Sequence, residues 1–118
     1  MNKTEDSALN KRLAELLGYE EYDEELTIGG IPSGFQKIYR KNGKKIFLVH
    51  GFTPSTDKAQ AMELLKDFEL SLEYVKGAAE GHQWQCWKPM IFGSRQTANT
   101  PEETITRAVI KMLEAEQS

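Results

Sequence analysis

Asn42-Gly43 stands between "FQKIYR" and "KKIFLV". Both central positions of the tightest hairpin turn need a positive φ, and Asn-Gly reaches that conformation with little strain. The dipeptide therefore predicts a β-hairpin from Phe35 to Val49. Its returning strand, Ile46 to Val49, is apolar at every position, whereas a half-exposed strand alternates. The expectation is a central strand covered on both sides, which calls for helices on both faces of a sheet.

The flanking segments supply those helices. Ser7 to Leu17 reads as a helix capped by Ser7, with Leu9, Leu13, Leu16 and Leu17 near one face and Gly18 closing it. A second helix follows "GFTPSTD", where Ser55, Thr56 and Asp57 are alternative caps and Asp57 with Gln60 fits a capping box. Its apolar positions are Ala61, Leu64, Leu65 and Phe68. The last helix has the fullest start signal. In "TPEE", Thr100 caps, Pro101 takes the first helical position and Glu103 reaches back. Ile105, Ala108, Val109, Met112 and Leu113 form its stripe, and Ile110 falls off it.

Two further strands complete the pattern. Leu70, Leu72 and Tyr74 alternate, and "QWQCWKPMIF" follows the "KGAAEGH" loop, with Pro89 ending regular pairing or marking an edge. Tyr19 to Gly34, acidic and then rich in Gly and Pro, reads as a connection, its run from Glu20 to Glu25 as a solvated segment. The fold class expected is α/β (α+β): an alpha/beta/alpha sandwich around a mainly antiparallel four-stranded sheet, in the order α-β-β-α-β-β-α. Residues 1–118 make one domain, with about 1–5 and 115–118 frayed at the ends.

Composition narrows the function classes. Charged residues are 28% and apolar residues 39%, with a net charge of -3, so Lys and Arg are not in the excess that a duplex nucleic-acid partner requires. No apolar run approaches the roughly 18 residues of a membrane span. "MNKTEDSALNKRL" places charges where a signal peptide needs an apolar stretch. A single cysteine, Cys86, excludes an internal disulfide and fits a reducing compartment. The localisation expected is cytoplasmic.

Catalytic signals are few. No nucleophile elbow, P-loop or dinucleotide fingerprint occurs, and the carboxylates fall in the acidic run and on helix surfaces. His50, His82 and Cys86 could number three zinc ligands. On a strand, however, His82 and Cys86 would point to the same side about 13 Å apart, too far for one metal. Neither a metal nor a cofactor is expected. Cys86, between large aromatics, reads as a small buried hydrophobe rather than a nucleophile. The expectation is a protein that is not an enzyme.

Trp84 and Trp87, three apart on one strand, point to opposite faces. Core packing is the default reading for each, one against a helix and the other at the opposite helix interface; a tryptophan partly in the open beside Lys88 and Arg95 would instead suit stacking on a planar ligand or anchoring an interface. The loop "GSRQT" adds Ser94, Arg95 and Thr97, and Arg95 can pair with a phosphate or a carboxylate. A solvated connector is the competing reading. Glu102 and Glu103 lie at the positive end of the helix dipole and oppose a phosphate bound there. The candidate ligand-binding set is Trp84, Trp87, Lys88, Ser94, Arg95 and Thr97.

Several stretches resemble a known family. "FTPSTDKAQAMELLKDF", "WQCW" and "TANTPEETITRAVIKML" are similar to motifs of the phage ABA-sandwich domain, and "ALNKRLAELLGYE" is similar to the start of these proteins and of NinX-type phage proteins. The chain departs from that pattern in Glu20–Gly34, which is longer, and at Phe52, where an asparagine is common. The resemblance implies a bacteriophage or prophage protein with an alpha/beta/alpha sandwich, and it carries no activity onto particular residues. The phage setting that the resemblance implies gives the expectation of a small non-enzymatic accessory protein that acts by binding, as in counter-defence by sequestering a host nucleotide-type signal. A module that inhibits a host protein and a nucleotide-processing enzyme are the alternatives. The partners expected are a small anionic or nucleotide-like ligand or a host protein, with neither duplex nucleic acid nor membrane. Sheet edges and Ile110 suggest a homo-oligomer.

Overall fold

The computed structural model describes residues 3–91 and 95–117. The elements are α1 (Lys3–Leu16), β1 (Glu20–Ile28), β2 (Ile31–Lys41), β3 (Lys44–Leu48), α2 (Lys58–Asp67), β4 (Ser71–Tyr74), β5 (Trp84–Trp87), β6 (Gln96–Ala98) and α3 (Pro101–Gln117), with a 3-10 turn at Val49–Gly51. Three helices and two antiparallel three-stranded sheets result, ordered β1-β2-β3 and β4-β5-β6. Each half of the chain holds one more strand than its hydrophobic pattern announces. The single four-stranded sheet is therefore replaced by two sheets, because each set of three strands pairs through its own local connections.

The first sheet is built on two turns of one kind. Asn42-Gly43 has φ of 55° and 79°, and Gly29-Gly30 has 59° and 80°. Both are two-residue turns with two positive φ values, which match the right-handed twist of the strands they join. Ile28 pairs with Ile31 across the second turn. The acidic segment read as a connection is thus β1 and the start of β2. The strand predicted to be central, Ile46 to Val49, is instead the edge strand β3, and β2 occupies the centre. Leu48 is accordingly 45% exposed.

From Asp23 to Gln36 the hairpin has no buried residue. It forms an arm that lengthens the molecule to 56 × 29 × 21 Å. The radius of gyration is 16.3 Å, against roughly 13–14 Å for a compact chain of this length.

Helix α3 is the element shared by the rest: α1, α2, β5 and β6 all pack on it. Its expected stripe of Ile105, Ala108, Val109 and Met112 is buried. So is Ile110, at 8% exposure, because α3 is packed from several sides rather than one. Ile110 is therefore unavailable for self-association. Thr104 and Thr106, buried on the same helix, donate their hydroxyls to Thr100 O and Glu102 O at 2.7 and 2.9 Å, so neither leaves an orphan polar group.

Helix ends follow local chemistry. Ser7 lies inside α1, which begins at Lys3, so it is not the cap. Gly18 closes α1 as expected, with Tyr19 N–H donating to Ala14 O and Gly18 N–H to Glu15 O. Asp57 caps α2 by accepting from Gln60 N–H at 3.0 Å. Ser55 is drawn inward instead. Its N–H donates to Asn10 Oδ1 and its hydroxyl to Asp6 Oδ1, both at 3.0 Å, which ties the turn before α2 to α1. Thr100 caps α3 by accepting from Glu103 N–H at 3.2 Å. The Glu103 carboxylate, expected to reach back to the cap, holds Arg107 Nε at 3.1 Å.

The first sheet meets the helices through aromatic rings. Phe52 is central, with its centroid 5.2 to 5.8 Å from those of Phe47, Tyr19 and Tyr39. Its place in the core accounts for an aromatic at this position. Burial raises the Tyr19 hydroxyl pKa above its ordinary value, with Asp67 adding to the effect. No helix among the described residues is long and apolar enough to cross a membrane.

Candidate functional site

The second sheet sorts the predicted site residues onto two faces. Leu72, Trp84, Cys86 and Ala98 share the face on α3, since Leu72 pairs with Cys86, and Trp84 with Ala98. Cys86 and Ala98 are buried there. The opposite face carries Glu73, Gln85, Trp87 and Thr97. The two tryptophans therefore point apart, as their spacing requires. Trp84 is half-buried beside Tyr74, ring centroids 5.1 Å apart, and takes no part in the open face.

Trp87 anchors that open face. The Arg95 guanidinium lies over its ring, 4.1 Å from the centroid, and donates to Gln85 Oε1. Both contacts fix a side chain that would otherwise be disordered by its own rotamer freedom. Register explains the meeting. Cys86 pairs with Gln96, so Arg95 falls opposite Trp87 at the mouth of the β5–β6 hairpin. Along the same face, His82 Nδ1 lies 3.1 Å from Thr97 Oγ1.

Three of the six predicted residues, Trp87, Arg95 and Thr97, are thus gathered. Lys88 is not with them. Its ammonium donates to Phe68 O at 2.8 Å and sits 3.9 Å from Glu69, at the C-terminal end of α2. A cation suits the negative end of that helix, and this withdraws the charge from the open face. Ser94 lies outside the described residues. The face of Trp87 that a planar ligand would use is covered by Arg95, so the group offered outward is the guanidinium rather than the indole.

A shallow cleft of about 440 Å³ runs beside β6, lined by Gly81, Arg95, Gln96, Thr97, Asn99 and Arg107, with Glu103 at its wall. β6 is one of the two edge strands of its sheet. The cleft thus brings two guanidinium groups toward an open strand edge. Arg107 is partly neutralised by Glu103. Gly81 N–H donates to Asn99 Oδ1, which closes one end of the cleft. The arrangement suits a small anion held by charge-assisted hydrogen bonds. Sequence reasoning did not single out Arg107, Asn99, Gln85 or His82 for this role. Arg107 follows Glu103 by four residues on α3, a spacing that reads as an ordinary helix ion pair.

Burial pushes the Cys86 thiol up to about 12, and the residue faces α3. His82 and Cys86, expected on one side of a strand, are on opposite faces, because His82 precedes β5 and turns toward Thr97. Among the described residues, no group of three His, Cys, Asp or Glu is placed to hold a metal ion. No family model matches the chain, and neither a curated protein nor a solved structure matches it.

Proposed function

We propose that the protein acts by binding, as a small accessory protein of a bacteriophage that sequesters a small anionic, nucleotide-type molecule of the host cytoplasm. The observation that carries this reading is Arg95, stacked on Trp87 and held by Gln85, beside a cleft that Arg107 also lines. A guanidinium held in place before the ligand arrives loses less freedom on binding, and its planar fork matches phosphate or carboxylate oxygens. Thr97 and Asn99 add neutral polar groups to the same wall.

The phage setting rests on the sequence resemblance to the ABA-sandwich proteins, and so does the finer expectation of an alpha/beta/alpha sandwich. A second, protein-directed role is favoured by one observation, the exposed apolar end of the β1–β2 arm.

Native mass spectrometry of protein purified from phage-infected cells tests the proposal. The expected result is a bound species in the nucleotide mass range on the wild-type chain, lost from Arg95→Ala at unchanged folding. A wild-type chain that emerges bare and binds none of a panel of nucleotides overturns it.

A further inference from the structure

The β1–β2 arm combines features that oppose one another in a chain without a partner. β1 is a nine-residue edge strand whose outer side is unpaired among the described residues. Long open edges invite pairing with another strand. At the arm's end Ile28 and Ile31, paired across the turn, are 72% and 68% exposed, and Phe35 nearby is similarly bare. Such apolar groups on an extended arm mark an interaction surface.

Alternation along β1 states what the edge would accept. One side of the strand carries Glu21, Asp23 and Glu25. The other carries Tyr22, Leu26 and Ile28, with Glu20 and Glu24 between and beside them, and the Arg40 guanidinium covers the Tyr22 ring, 3.7 Å from its centroid. Glu24 is already held by Gln36 and Lys45, at 2.7 and 3.0 Å, and these bonds keep its carboxyl below the usual range. Asp23 lies 3.9 Å from Lys37. Glu20, Glu21 and Glu25 have no ion-pair partner among the described residues.

Charge decides against a second copy of the chain. β1 laid on β1 would oppose carboxylates to carboxylates. The apolar groove lined by Tyr19, Phe47, Phe52 and Leu64 has Glu63 and Asp67 at its rim, and these repel an acidic arm. We infer that the free edge of β1 takes up an extended segment of a partner protein in which basic and apolar residues alternate. The added strand would make main-chain hydrogen bonds to β1, set its lysines or arginines against Glu21 and Glu25, and lay its apolar side over Leu26 and Ile28. This surface is separate from the Arg95 cleft, so either can fail without the other.

The probe is a fluorescent peptide of about nine residues, the length of a full strand partner, with lysine and valine alternating. Its anisotropy on adding the protein should rise and saturate. Three comparisons accompany it: the same peptide with glutamate for lysine, the same peptide N-methylated at alternate residues, and the Glu21→Lys/Glu25→Lys protein, its fold checked by circular dichroism. Each should weaken binding by at least about tenfold. The inference is overturned if the lysine peptide fails to bind or if the glutamate peptide binds equally. It is also overturned if the N-methylated peptide binds as well as the parent, because attraction would then be charge alone. Sedimentation showing that the arm joins two copies of the chain, and that Ile31→Asp separates them, would overturn it as well.

Discussion

Arg95 and Trp87 face each other across the β5–β6 hairpin, the guanidinium carbon 4.1 Å from the centre of the indole ring. Gln85 accepts a hydrogen bond from the same guanidinium, so one arginine is held by two neighbours on β5. The stack converts a flexible surface cation into a positioned one. Its removal should therefore cost function more than stability. Arg95→Ala should lower unfolding free energy by no more than about 1 kcal/mol, the range of exposed cation–π contacts. Trp87 emission should shift as water reaches the uncovered ring. Chemical denaturation and fluorescence measure both.

Val109 is fully buried on α3, where helices and the second sheet converge. Val109→Asp places an unpaired carboxylate there and should remove several kcal/mol of stability. A melting temperature close to that of the parent would show that α3 is not the shared core element.

Thr100 and Glu69 mark two helix ends with opposite prospects. Thr100→Ala deletes the hydroxyl that accepts from Glu103 N–H and should cost about 1 kcal/mol. Glu69 ends α2 at φ 53°, with its N–H donating to Lys66 O and that of Leu70 to Leu65 O. This is the position that glycine fills in most such helix ends. Glu69→Gly should raise stability by up to about 1 kcal/mol, since the left-handed backbone penalises a Cβ. Urea titrations of the two variants should move the midpoint in opposite directions.

Alkaline pH should destabilise the fold through Cys86. Its thiol is raised from 9.0 to about 12, chiefly by burial. Below pH 9 both the folded and unfolded chains keep the proton, and the contribution is complete. Between 9 and 12 the unfolded chain loses it while the folded chain retains it. Stability therefore falls with rising pH, by at most about 1.4 kcal/mol per unit. Tyr19 and Tyr39, also raised by burial, act in the same direction above their ordinary 10.0. Cys86→Ala should flatten the decline between pH 8 and 10.5 in guanidinium titrations while leaving the tyrosine part.

The parts of the fold legible in the sequence were those carried by local chemistry. The Asn42-Gly43 turn, the Gly18 helix end, the Asp57 and Thr100 caps and the α3 stripe all stand where their residue types require. The opposite faces of Trp84 and Trp87 followed from strand geometry alone. β1 was hidden because glutamates are poor strand formers and mask the alternation of Tyr22, Leu26 and Ile28. Gly29-Gly30 between two isoleucines was the signal that could have exposed it. β6, three residues long, has no pattern to read. Strand apolarity misled for β3, since Ile46 and Leu48 remain part-exposed on an edge. Of the candidate site residues, residue type singled out Arg95, Trp87 and Thr97, which the structure brings together, whereas Lys88 is drawn to the end of α2, a tertiary contact that spacing along β5 does not disclose.

The most direct measurement is a titration of tryptophan emission with nucleoside mono-, di- and triphosphates and cyclic dinucleotides, run on the wild type, Arg95→Ala and Thr100→Ala. The wild type should show a saturable change with at least one of these anions. Thr100→Ala, altered only in a helix cap, should keep it, and Arg95→Ala should lose it while still folding. No response from the wild type to any of them, or an equal response from Arg95→Ala, would contradict the assignment of the Arg95–Trp87 face as an anion-binding site.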